Sequence, residues 1–93
     1  MPLYMDVHKN VDGATAAAMA DAHLTDLQTQ DRYGVKYHKY WLDESTGTIF
    51  CLVEAPNKEA AERVHREAHG LTADEIFEVT EGSSTQNIAH KDK

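Results

Sequence analysis

The sequence predicts an α+β domain in which strands and helices follow the order β-α-β-β-α-β. Three observations support this: an alternating segment near the start, two segments of helical periodicity that end at glycine, and two aromatic-rich runs joined by a turn. With 93 residues the chain lies at the low end of the size range for one domain, so we expect a single domain over residues 1–80. Residues 81–93 are polar and are predicted to form a mobile tail.

The first part of the chain predicts one strand and one helix. Leu3 to His8 alternates between apolar and polar side chains, which is typical of a strand with two different faces. Thr15 is a suitable N-cap and Gly34 supplies a left-handed stop, so the first helix is expected between them. Several residues recur at helical spacing: Ala16, Met19, Ala20, His23, Leu24 and Leu27. The stripe expected to face the sheet consists of Ala16, Met19, Ala20, His23 and Leu27.

The next segment predicts a β-hairpin. Val35 to Leu42 and Thr48 to Val53 are rich in aromatic and β-branched side chains, and residues 43–47 between them have turn composition.

The last part of the chain predicts a second helix and a fourth strand. Asn57 is the expected N-cap and Gly70 lies just past the last turn, while Asp74 to Thr80 is the expected strand. The apolar stripe of this helix contains a histidine, since it consists of Ala61, Val64, His65 and Ala68.

This order of elements predicts a ferredoxin-like fold. Right-handed crossovers give an antiparallel four-stranded sheet of order 4-1-3-2 with both helices on one face. The other face is then uncovered, and in so small a chain a second copy is the simplest cover, so we expect a face-to-face homodimer. Trp41, Phe50 and Leu52 are the candidates for its interface.

The charge and cysteine content restrict the partners and the location. Nine basic against 16 acidic residues give a net charge of −7, which disfavours nucleic acid and anionic membranes and favours a cationic ligand. Cys51 is the only cysteine, so no internal disulfide can form, and we expect it to act as a small buried hydrophobe. With no apolar segment of membrane-spanning length, a cytoplasmic location is expected.

Histidine is the residue type that points to chemistry, since the chain has six. His23 and His65 lie on the expected inner faces of the two helices, and His69 follows His65 by one turn, a spacing at which two imidazoles can share a metal ion. Asp6 and His8 at the end of strand one are the expected partners. Imidazoles and carboxylates suit a borderline divalent ion such as nickel, copper or zinc.

The orientation of strand one decides whether this cluster forms. If Leu3, Met5 and Val7 face the dimer partner, Asp6 and His8 enter a polar pocket between helices and sheet. If the apolar residues face the helices instead, the cluster breaks up. The alternation by itself leaves both orientations open.

Several segments resemble a known family. Residues 1–8, 34–41, 50–56 and 64–70 are similar to a family of small bacterial proteins, largely of unknown function, that includes an actinobacterial nickel-binding protein with a dimeric ferredoxin-like fold. The resemblance covers roughly residues 1–80 and implies a dimer and a nickel site. Its matching motifs contain Asp6, His8, His65 and His69.

Two functions are therefore predicted. The first is a homodimeric metal-binding protein that stores, buffers or senses nickel, with Asp6, His8, His23, His65 and His69 as candidate ligands. The alternative is a small enzyme of the dimeric α/β-barrel type, in which His23, His65 and Tyr40 act as acid–base groups on an organic substrate.

Overall fold

A computed structural model describes residues 1–82 of the chain and confirms the predicted order of elements. The elements are β1 (Leu3–His8), α1 (Ala16–Thr29), a short 3-10 helix (Gln30–Tyr33), β2 (Lys36–Asp43), β3 (Thr48–Glu54), α2 (Lys58–Ala68) and β4 (Glu75–Val79). Of the predicted polar tail, residues 83–93 lie outside the described residues.

The four strands form one antiparallel sheet in the order β2-β3-β1-β4, which is the predicted order counted from the opposite edge. Strand β1 is central and pairs with both β3 and β4. The ferredoxin-like fold is therefore confirmed.

Local side-chain chemistry sets the ends of both helices. Thr15 accepts a hydrogen bond from the Ala18 backbone N–H at the start of α1, and Asn57 accepts one from Ala60 at the start of α2. Gly34, with a φ of 65°, ends the 3-10 helix that extends α1. The predicted caps and stop are thus where the sequence places them.

Strand β1 presents its polar residues to the helices. Asp6 and His8 are buried, and Asp6 is hydrogen-bonded to His65 of α2, whereas Leu3 and Met5 lie half-buried on the opposite face. Of the two orientations that the sequence left open, the structure has the one that forms a polar cluster. Val7 shares the opposite face yet is buried, lying between the neighbouring strands.

Helix α1 is rotated relative to the sequence prediction. Leu27, expected to face the sheet, is 39% exposed, and Ala16 and Ala20 of the same predicted stripe are exposed as well. Leu24 is 54% exposed. The buried positions are Met19, Asp26 and Thr29, with Ala22 and His23 half-buried. The inner face is therefore displaced by roughly a third of a turn from the one predicted. Polar contacts of Asp26 with His65 of α2 and with His69 at the C-cap of α2 hold this orientation, so these contacts rather than leucine burial set the helix phase.

Gly47 in the β2–β3 turn packs directly on the segment that connects β1 to α1. The Val11 backbone N–H donates to the Gly47 carbonyl at 3.0 Å. Gly47 has a φ of 70°, and a Cβ added to it would lie 2.9 Å from the Val11 carbonyl oxygen. Only glycine satisfies both constraints, and the contact fixes the chain just after His8.

The sheet face opposite the helices carries apolar side chains that reach solvent. Trp41, Phe50 and Phe77 are exposed on this face. Trp41 is paired with Phe50, and the half-buried Met5 is paired with the half-buried Leu52 on one side and with Phe77 on the other. We call this surface the open face. Within residues 1–82, neither helix has the length or the apolar stretch needed to cross a bilayer.

Candidate metal centre

Five ionisable side chains from three elements meet between the helices and the sheet. Strand β1 supplies two of them, α1 supplies one, α2 supplies one, and the residue that caps the C-terminus of α2 supplies the fifth, one helical turn further along. We call this group the Asp–His cluster: Asp6, His8, Asp26, His65 and His69.

His65 is at the centre of the Asp–His cluster and is only 1% exposed. Its Nδ1 lies 2.9 Å from Asp26 Oδ1 and its Nε2 lies 3.1 Å from Asp6 Oδ2. Burial alone lowers the pKa of His65, but the hydrogen bonds with Asp26 and Asp6 outweigh burial and hold that pKa well above its ordinary value. In the metal-free protein His65 is therefore an imidazolium that donates from both ring nitrogens.

Asp6 accepts hydrogen bonds on both carboxylate oxygens. His8 Nε2 is 3.1 Å from Oδ1, while His65 and the Tyr37 hydroxyl, at 2.9 Å, contact Oδ2. Burial raises the pKa of Asp6, yet the bonds from His65 and His8 bring it well below its usual range. Burial and the neighbouring Asp6 charge raise the pKa of Tyr37, so its hydroxyl remains a neutral donor.

Asp26 of α1 is a second buried hydrogen-bond acceptor for His65, on the helix side of the ring. It accepts from His65 and from His69 Nε2, which is 3.0 Å away. His69 Nδ1 accepts the Leu71 backbone N–H at 3.1 Å, so its proton is on Nε2. Burial raises the pKa of Asp26, but the bonds from His65 and His69 lower it below its ordinary value. Asp26 is therefore an ionised carboxylate in a buried position.

Sequence reasoning missed Asp26. An acidic residue in a helix is normally taken as part of the solvated face, and the nearby Leu24 and Leu27 suggested a different inner face. One signal was present: Asp26 follows His23 by three positions and Met19 by seven, so the three share a side of the helix.

His8 has one nitrogen without a partner. The residue is 4% exposed, its Nε2 is used by Asp6, and its Nδ1 contacts no hydrogen-bond partner within residues 1–82. An unsatisfied buried polar atom is costly, and its lone pair is the group that a cation uses. The donor set therefore fits a metal ion.

Two groups of candidate ligands share His65. In each group one ligand atom per residue lies within 4.8 Å of all the others. The first group is Asp6, His8, Cys51 and His65, and the second is Asp26, His65 and His69. Cys51 is buried, as the sequence predicted, and burial raises the pKa of its thiol to about 11.

A cavity of about 20 Å³ borders the Asp–His cluster. His23 and Tyr40 lie on its wall, and their rings pack with centroids 4.9 Å apart. His23 therefore shares the cavity with the cluster but belongs to neither group of candidate ligands. A cavity of this size holds a water molecule or an ion, whereas sites for organic ligands are typically ~300–1,000 Å³.

The remaining histidine that the structure describes is on the surface. His38 Nε2 lies 2.6 Å from Glu54 Oε1, and both side chains are about one-third exposed. His38 takes no part in the Asp–His cluster, which makes it a suitable control position.

The fold and the cluster define the class of protein: a small ferredoxin-like α+β domain with candidate metal ligands between its helices and its sheet. A family model described as "Nickel responsive protein SCO4226-like" matches residues 4–79, and the chain belongs to this family. The family resemblance found in the sequence is thereby confirmed.

A solved structure agrees with this assignment. The chain is 41% identical to SCO4226 from Streptomyces coelicolor A3(2), whose crystal structure it matches with a TM-score of 0.80. The match covers 87% of this chain and 99% of the Streptomyces chain. Comparison with curated protein sequences finds no significant match.

Proposed function

We propose that this chain binds nickel in the Asp–His cluster and serves to store, buffer or sense the ion. The family is described as nickel responsive, which supports nickel over the copper and zinc that the same ligands accept. The assignment of the ligand residues rests on the geometry around His65 and not on the family description.

The observation that carries the proposal is the charge balance of the cluster. Asp6 and Asp26 are both ionised and buried, and their ion-pair partners within residues 1–82 are all histidines. In the metal-free protein, the positive charge between the two carboxylates is the proton on His65. A divalent cation is a stronger counter-charge for two carboxylates, and imidazole nitrogens become its ligands when they lose their protons.

Residues of this chain would bind the nickel ion and line its route into the cluster. A bound nickel ion would contribute Lewis-acid bonds to nitrogen and oxygen donors. His69 is the most exposed member of the cluster, with 15% of its side chain accessible, so ions enter beside it and Asp26. Tyr37 holds the Asp6 carboxylate in place through its hydroxyl, and Leu71 fixes the His69 ring. We propose that His23 lines the entry cavity and is the outermost candidate ligand.

The cavity argues against the enzyme alternative. Its volume of about 20 Å³ is far below that of an organic substrate site.

Isothermal titration of the untagged protein with nickel tests the site. We expect His69→Gln to weaken binding by at least tenfold, because the amide preserves a hydrogen bond to Asp26 but is a poor nickel ligand. His8→Asn tests the group around Asp6 in the same way. The matched control is His38→Gln, whose imidazole is outside the cluster. Equal affinity in wild type, His69→Gln and His8→Asn would refute the assignment of ligands.

We also propose a homodimer formed through the open face. Trp41 and Phe50 are exposed near Leu52, and Phe77 is exposed beside Met5, which pairs with Leu52. A contiguous apolar face on so small a domain is typical of an interface. Phe50→Lys is expected to yield a monomer in light scattering with an unchanged circular dichroism spectrum. Leu24→Lys on the outer side of α1 is the control and should leave the dimer intact. A Phe50→Lys protein that keeps the wild-type mass would exclude this interface.

The proposed location is the cytoplasm. The single cysteine cannot form an internal disulfide, and a reducing compartment keeps its thiol free.

A further inference from the structure

We infer that Cys51 provides a thiolate sulfur to an ion held by Asp6, His8 and His65, which makes this group a sulfur-containing metal site. The inference rests on the proposed function, since it assigns a further ligand within the same cluster. It changes the interpretation of Cys51 from a small buried hydrophobe to a residue with a chemical role.

The sheet register places Cys51 in the cluster. In the β1–β3 pairing Cys51 is directly opposite Asp6, and in the β2–β3 pairing it is opposite Tyr40. Directly paired residues of neighbouring strands point to the same side, so the Cys51 side chain faces the helices. Its sulfur lies within 4.8 Å of ligand atoms of Asp6, His8 and His65.

A second observation is independent of the cysteine. His8 lines the same cavity as Cys51, is nine-tenths or more buried, and has an Nδ1 without a hydrogen-bond partner among the described residues. Buried imidazoles normally satisfy both nitrogens. A ligand bound next to the sulfur accounts for a polar atom that the protein itself leaves unsatisfied.

The chemistry of the step is simple ligand exchange. The thiol S–H bond breaks, the proton passes to water, and a metal–sulfur bond forms without oxidation or reduction. A thiolate favours nickel, copper, zinc and cobalt over magnesium, calcium and manganese, so sulfur ligation would exclude the abundant hard cations.

Cobalt and nickel titrations followed by near-ultraviolet absorption test this inference, because thiolate ligation produces an intense sulfur-to-metal charge-transfer band. The untagged, reduced protein is titrated anaerobically, and bound metal is counted by equilibrium dialysis. We expect a band that saturates with bound metal in wild type and is absent in Cys51→Ser, whose cobalt affinity falls on the order of 100-fold. Met19 is the other sulfur residue on the cavity wall, so Met19→Leu is the matched control and should keep the band.

The outcomes separate the two proposals. Bound metal without a charge-transfer band, or a band that persists in Cys51→Ser, overturns sulfur ligation and leaves nickel binding by the nitrogen and oxygen ligands intact. Dialysis that finds no bound metal overturns both. If Cys51→Ser fails to fold, X-ray absorption of the zinc-loaded wild type decides: a shell at about 2.3 Å supports sulfur, and a single shell at about 2.0–2.1 Å overturns it.

Discussion

Replacing Asp26 with asparagine tests whether the buried ion pairs hold the metal-free protein together. The substitution preserves the size of the side chain and removes one of the two carboxylates that flank His65. Asp26 accepts from His65 at 2.9 Å and from His69 at 3.0 Å, and its side chain is 3% exposed, so solvent screens these contacts little.

The contacts set the size of the effect. A hydrogen bond to a charged group contributes about 1.5–3 kcal/mol, and breaking a buried ion pair costs about 3–5 kcal/mol. The asparagine oxygen still accepts from one imidazole, which retains part of this interaction. We therefore expect Asp26→Asn to lower the free energy of unfolding by about 2–4 kcal/mol at neutral pH.

The pH dependence of the free energy of unfolding shows whether the charge on His65 causes this loss of stability. The folded-state pKa of His65 is raised, so its contribution to stability is complete below the unfolded pKa of about 6.5 and is lost as pH rises above that value. For metal-free wild type this predicts lower stability at about pH 8 than at about pH 6. In Asp26→Asn the His65 pKa moves back toward its ordinary value, so the loss should be smaller.

Urea unfolding of both chelator-treated proteins at the two pH values is the assay. Glu62→Gln provides the control, since this exposed carboxylate is 3.8 Å from Arg66 and its removal should change stability by less than about 0.5 kcal/mol. A change below about 1 kcal/mol in Asp26→Asn, or the same pH dependence as wild type, would show that His65 is not held as an imidazolium by Asp26.

Three further predictions concern the turn, acid stability and the metal. Gly47→Ala should destabilise by about 1–3 kcal/mol more than Gly34→Ala, because both have a positive φ but only at Gly47 does a Cβ meet backbone; thermal unfolding of the pair checks this. The lowered pKa values of Asp6 and Asp26 give stability that is present above the unfolded pKa of about 3.9 and lost as pH falls through the lower folded values, so an acid titration should be less steep in Asp6→Asn. Nickel affinity should decrease as pH falls, and because the pKa of His65 is raised, proton competition should begin above the ordinary histidine range. Nickel at 100 times its Kd should raise stability by about 2.7 kcal/mol, an increase that a chelator reverses in calorimetry.

The helices show where sequence reasoning succeeds and where it stops. On α2 the apolar positions and the buried polar position share one face, so the stripe containing His65 was predicted correctly. On α1 the apolar side chains Leu24 and Leu27 and the polar side chain Asp26 compete for the inner face, and Asp26 is the one that is buried. Apolar periodicity does not describe a helix whose phase is set by hydrogen bonds to another element.

The candidate site was likewise predicted in part. Asp6, His8, His65 and His69 were named from the sequence and are brought together by the fold. Asp26 was not, because its partners are 39 and 43 positions away along the chain and no local pattern connects them.

Local physics in the sequence determined the elements, their order and the strand pairing. Alternation, helix caps and turn residues act over a few neighbouring positions, and handedness then restricts the topology. Only the tertiary structure decided which face of β1 meets the helices, how α1 is rotated, and that Cys51 lies beside Asp6. These features depend on side chains that are distant in sequence, whose buried charges must find partners, and that requirement acts only when the chain is packed.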